Sequence, residues 1–131
     1  MFRMKTLVLL LVLSSHFAAA KCLNSVAELR RHDVKRTWDE TTSTDTPLII
    51  YLEGKSGLHL TISKNGQKLA LGDVTVCLEG GRPKVTFTNI KALEDAPMFI
   101  KAGLPRSATA YINNNHITIG SSLWSGTFVG R

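Results

Sequence analysis

Gly57-Leu58-His59-Leu60-Thr61-Ile62-Ser63-Lys64-Asn65-Gly66-Gln67-Lys68-Leu69-Ala70-Leu71 is the stretch that decides the fold. Leu58, Leu60 and Ile62 alternate with His59, Thr61 and Ser63, the period of a strand with one buried face. Asn65-Gly66 then supplies two residues that accept positive φ, as a two-residue hairpin turn requires. Counting outward from that turn sets Ile62 opposite Leu69 and Leu60 opposite Leu71, so the apolar residues of both strands share one face.

The same count works at two other places. With Gly80-Gly81 as the turn, Val76 faces Val85 and Val74 faces Phe87; with Asn114-Asn115, Ile112 faces Ile117 and Ala110 faces Ile119. Strands are expected at Leu48 to Glu53, Gly57 to Ile62, Gln67 to Leu71, Val74 to Glu79, Lys84 to Asn89, Met98 to Ala102, Ala108 to Ile112, His116 to Ile119 and Leu123 to Val129, each short and bounded by turn residues. The fold class is therefore all-β, a mainly antiparallel meander closed into a small barrel or folded into a two-sheet sandwich.

One short helix is expected ahead of the sheet. Ser25-Val26-Ala27-Glu28 has the form of a capping box, in which the serine hydroxyl and the glutamate satisfy exposed backbone donors. The helix should run over about 26–35, with Arg30, Arg31, Lys35 and Arg36 as a basic flank and candidate anion-binding group. Thr41 to Thr46 with Pro47 reads as a loop entering the first strand.

The chain opens with the order of a secretory signal: Arg3 and Lys5, the apolar run Leu7 to Leu13, then Ala18-Ala19-Ala20. That run is far short of the roughly 20 residues needed to cross a bilayer, and no later segment approaches it. Cleavage after Ala20 would leave residues 21–131 as one β-rich domain, periplasmic or secreted. Of the 16 basic residues the first twenty hold two and of the acidic ones none, so 14 remain against 10 acidic and the net charge is +4. A bias of that size points to anionic partners and is too weak for a nucleic-acid surface. In an oxidising compartment Cys22 and Cys77 read as one disulfide. Hairpin register turns Val74, Val76 and Leu78 inward, which points Cys77 outward to meet the stapled N-terminal segment.

No constellation for catalysis emerges. Gly54-Lys55-Ser56 lacks the upstream glycine of a phosphate-binding loop, since Ile49 occupies that place. No G-x-S-x-G elbow exists. His32, His59 and His116 are not spaced with other ligand types, so no metal or cofactor is expected. Asp39-Glu40 and Glu94-Asp95 are sequence neighbours whose side chains diverge. Trp38 and Trp124 remain as aromatic contacts for a ligand.

Cys77, Gly80, Val85-Thr86-Phe87, Ser107-Ala108, Tyr111, Trp124 and Gly126 together make the chain loosely similar to the bacterial inhibitors of c-type lysozyme. Two positions depart from that pattern: Ser125 stands where it favours Lys, and Thr109-Ala110 replaces Ser-Gly. The resemblance implies a small exported β-barrel that inserts a loop, Ala92 to Pro97 or Gly103 to Ser107, into an enzyme's cleft. Charge argues the other way, because a +4 chain gains no electrostatic steering toward a basic lysozyme. The primary expectation is thus an exported, non-enzymatic β-domain that binds an anionic glycan, a lipid or an envelope protein. Inhibition of a lysozyme-like or other envelope-attacking enzyme is the alternative, and a hydrolase of unfamiliar type is the third.

Overall fold

A computed structural model describes residues 21–41, 47–120 and 125–131. Residues 1–20, read above as a secretory signal, and Trp124 lie outside these residues, as does most of the loop between Thr41 and Pro47. Nine strands and two short helices follow in the order β1 (Lys21–Leu23), α1 (Val26–Arg31), β2 (Thr37–Glu40), β3 (Leu48–Glu53), β4 (Leu58–Lys64), β5 (Gln67–Glu79), β6 (Arg82–Ala92), α2 (Met98–Gly103), β7 (Ala108–Tyr111), β8 (His116–Gly120) and β9 (Ser125–Gly130).

All nine strands join one antiparallel sheet in the order β7-β6-β5-β4-β3-β2-β9-β8, with β1 added beside β5. The two ends of that path, β7 and β8, follow each other in the chain, and one bridge, Asn113 to His116, closes the turn between them. The sheet is therefore a nearly closed barrel and not a sandwich. Its interior holds the alternating residues of each strand, among them Leu48, Ile50 and Leu52 of β3, Leu58, Leu60 and Ile62 of β4, and Phe87 and Phe128. Full burial of one such side chain contributes about 1.5–3 kcal/mol. The space left among Ile50, Leu60, Phe87, Leu104 and Ile119 is only about 10 Å³, so side chains fill the centre.

The three expected turns form as two-residue turns with positive φ at both central residues: 52° and 81° at Asn65-Gly66, 58° and 83° at Gly80-Gly81, 48° and 63° at Asn114-Asn115. That backbone matches the twist of the flanking strands. The register around Gly80-Gly81 is as expected, with Val74 opposite Phe87 and Val76 opposite Val85.

At Asn65-Gly66 the expected register holds only for the first two pairs, Lys64 with Gln67 and Ser63 with Lys68. Leu69 is then an extra residue, a bulge that puts Ile62 opposite Ala70 and Leu60 opposite Gly72. Leu69 and Ala70 are both buried by it, and Leu71 is turned outward at 45 % exposure. Around Asn114-Asn115 the ladder stops after its first pair, since the Ile112 amide donates to Pro83 O instead of continuing toward β8.

Four further expectations need correction. The two strands proposed for 67–71 and 74–79 are one strand, β5. The segment Met98 to Ala102 is helical: following Pro97, its amides bond locally, Lys101 N–H to Pro97 O and Leu104 N–H to Ile100 O, and only Ile100 is buried. Helix α1 stops at Arg31, short of 35, because Asp33 takes a left-handed φ of 60°. The Asp33 amide then bonds Arg30 O and the Val34 amide bonds Leu29 O, with Val34 and Leu29 both buried, a Schellman end built on Asp where Gly is usual. Finally, β2 forms where a helix edge and loop were expected, paired with β3 on one side and β9 on the other.

The Cys22–Cys77 disulfide forms, with the two residues directly opposite each other where β1 lies along β5. Their register neighbours Leu23 and Val76 are buried, so the bond lies on the outer face. Strand β1 takes up the edge of β5 just beyond Val74, where β4 ends.

Candidate anion-binding cleft

Helix α1 is held to one end of the barrel at both its own ends. At its start Ser25 Oγ accepts from the Glu28 amide at 3.2 Å, and Glu28 Oε1 accepts from the Asn24 amide at 3.2 Å. The β3–β4 turn receives this capped end: Val26 N–H donates to Gly54 O, and Gly57 N–H to Asn24 O. Gly54 has φ 141°, and a Cβ there would lie 1.9 Å from Gly57 O. At its finish the Schellman turn carries the chain through Val34, Lys35 and Arg36 directly into β2.

This route gathers the basic residues. Arg30, Lys35 and Arg36 line a cleft of about 210 Å³ together with Arg131, over an apolar lining of Val26, Leu29 and Val34. Asp33 is the one carboxylate among the lining residues. Arg31, the fourth cation of the expected flank, is not part of the lining. Arg131 was not anticipated from sequence. It arrives because β9 pairs with β2, which sets Gly130 opposite Trp38 and lets the Arg131 amide donate to Thr37 O.

The four cations are held differently. The Arg36 Nε donates to Leu52 O at 3.2 Å and its guanidinium lies 4.5 Å from the centroid of the Tyr51 ring. Arg131 pairs with Asp39. Lys35 is fixed through its backbone and stem: its carbonyl accepts the Trp38 indole N–H at 2.9 Å, and its Cβ and Cγ lie over Gly130. The charged ends of Arg30 and Lys35 have no hydrogen-bond or ion-pair partner among the described residues. Two cations are thus anchored by protein groups, and the charged ends of the other two are not.

Trp38 does not present a ring to a ligand. It is 1 % exposed and packs in the core, with its polar atom satisfied by Lys35. Its expected role as a surface contact is therefore corrected to that of a core residue whose indole N–H donates to Lys35 O.

A second concavity, about 430 Å³, lies on the outer face of β4, β5 and β6. There a bulge in β6 opposes Asn89 and Ile90 to Gly72, and Asn89 has φ 52°. Asn89 Nδ2 donates to Asp73 Oδ2 at 2.9 Å, and His59 Nδ1 meets Asp73 Oδ1 at 3.2 Å. The Asn89 amide first and the His59 ring second hold the Asp73 carboxyl below the usual carboxylate range. Both groups of the His59–Asp73 pair are at least half exposed, so its contribution is screened by water. Among the described residues no three His, Cys, Asp or Glu side chains are grouped to hold a metal ion, and no helix is long and apolar enough to cross a membrane.

Comparison of the chain with known protein families, with curated protein sequences and with solved structures finds no significant match. The likeness to lysozyme inhibitors therefore stands on the residues quoted for it alone.

Proposed function

We propose that this chain is an exported, non-enzymatic binding domain that holds an anionic ligand in the cleft between α1, β2 and the end of β9. The observation that carries this reading is the convergence of Arg30, Lys35, Arg36 and Arg131 on one cleft, with the heads of Arg30 and Lys35 unpaired among the described residues. Guanidinium groups bind phosphate, sulfate and carboxylate through paired N–H donors, and a lysine adds a mobile point charge. The filled barrel centre directs a ligand to the outside surface, and the disulfide fits an oxidising compartment.

The test is binding of two probes, inorganic phosphate and a heparin oligosaccharide, at low and physiological salt. Arg30→Gln with Lys35→Gln should weaken binding of at least one probe by about tenfold or more, since a hydrogen bond to a charged group contributes about 1.5–3 kcal/mol. The slope of affinity against salt should also flatten. Arg31→Gln serves as the control, because that side chain lies outside the cleft lining. Equal loss in the control, or no loss in the double variant, would show that the cleft is not the site.

A further inference from the structure

The opposite end of the barrel carries a feature of another kind. Helix α2 buries Ile100 and exposes most of its other residues: Met98 is 73 % and Phe99 58 % exposed, and Lys101 and Ala102 are exposed as well, as is Pro97 just before it. Neighbouring large apolar side chains left this open mark a surface suited to contact with another molecule or a membrane. Neither residue lines the clefts described above.

Charge indicates what the cover is. The Lys64 ammonium sits 5.4 Å from the centroid of the Phe99 ring, and Leu93 N–H donates to Leu69 O, which binds the preceding loop to the start of β5. Segments 64–68 and 91–106, joined in this way, hold Lys64, Lys68, Lys91, Lys101 and Arg106 against Glu94 and Asp95. None of the five cations has an ion-pair partner among the described residues. Lys64 and Lys101, without ion-pair partners among the described residues, thus set two cations beside the apolar tip, which matches the boundary of an anionic bilayer, where headgroup phosphates lie just outside the first acyl carbons.

We propose that this end of the barrel docks on an anionic membrane surface, with Met98 and Phe99 entering the interface and the surrounding lysines meeting headgroup phosphates. The contact is peripheral and reversible, since two side chains and a few lysines give far less hold than a spanning segment. It is independent of the anion cleft, which lies at the other end of β3 and β4.

Co-sedimentation with vesicles of phosphatidylglycerol and phosphatidylcholine, against phosphatidylcholine alone, tests the proposal. The unmodified protein should bind the anionic vesicles, and Met98→Ser with Phe99→Ser should lower its partition coefficient by about tenfold or more, a lower bound, since full burial of even one large apolar side chain contributes that much. Both positions are more than half exposed, so the fold should survive, as a thermal melt would verify. Lys64→Gln with Lys101→Gln should reduce binding to the anionic vesicles. Arg30→Gln with Lys35→Gln should leave it intact. No binding to anionic vesicles, binding indifferent to the Met98 and Phe99 changes, or loss confined to the cleft variant would each overturn the proposal; the last of these would still be compatible with the cleft's anion binding.

Discussion

Gly130 is glycine because the stem of Lys35 lies across it: a Cβ at that position would stand 2.9 Å from Lys35 Cβ, 2.8 Å from Lys35 Cγ and 2.7 Å from Asn115 Oδ1. Asn115 is itself tied there, its amide donating to Gly130 O and its carbonyl accepting from Gly130 N–H. Gly130→Ala should therefore shift Lys35 and Asn115 together. The expected result is a loss of about 1–3 kcal/mol in urea unfolding, the usual cost of overpacking, with weaker phosphate or heparin binding as Lys35 is displaced. Stability and binding both unchanged would mean that the Lys35 stem moves aside freely.

Gly54 should be the least replaceable residue of the β3–β4 turn. Its φ of 141° disfavours any side chain, and the nearest atom is backbone, Gly57 O. Strain alone should cost Gly54→Ala about 1–3 kcal/mol. Because Gly54 O also accepts the Val26 amide, exchange protection at Val26 should fall more than at Ile50 in the barrel wall.

Removing the disulfide by Cys22→Ser with Cys77→Ser should lower stability by about 4 kcal/mol in the chain-entropy account of a loop of 55 residues. Chemical denaturation of the two proteins side by side measures this. A loss under about 1 kcal/mol would show that pairing of β1 with β5 holds the N-terminal segment without the covalent bond.

The Asp73 carboxyl is held below its ordinary range in the folded state. The sign follows: any stabilisation from it is fully present above the ordinary carboxylate range and is lost as pH falls through the lower folded value. Carbonyl-detected NMR should show its titration midpoint rising in Asn89→Gly, which keeps the left-handed backbone and removes the amide. His59→Ala should raise it as well, since the ring lowers it through both its hydrogen bond and its charge. A midpoint unchanged in Asn89→Gly would contradict the hydrogen bond at the β6 bulge.

Local chemistry in the sequence reached as far as local contacts did. Each of the three turns carries residues that accept positive φ, and Val74 and Val76 found their expected partners because nothing interrupts the ladder between Gly80-Gly81 and Val74. The bulge at Leu69 was hidden because both Leu69 and Ala70 are apolar, so alternation reads equally well with either of them inward. Met98-Phe99-Ile100 resembles a strand in composition, yet with Pro97 ahead of it the backbone closes its bonds locally. The cleft was half visible: Arg30, Lys35 and Arg36 lie close in sequence, whereas Arg131 joins them across a pairing that no spacing encodes. Trp38 was misplaced for the same reason, since its strand is defined by partners on both sides that are distant in the chain.

Strand β2 is where the beginning and the end of the described chain are sewn together. From β3 to β7 each strand can pair with the one before it as it emerges, but Trp38 meets Gly130 only after almost everything between them has been made. A chain that has completed its hairpins without this seam holds Arg30, Lys35 and Arg36 and still lacks Arg131. Any anion that needs all four discriminates between the finished barrel and its partly assembled precursors, and by mass action draws the population toward the finished form.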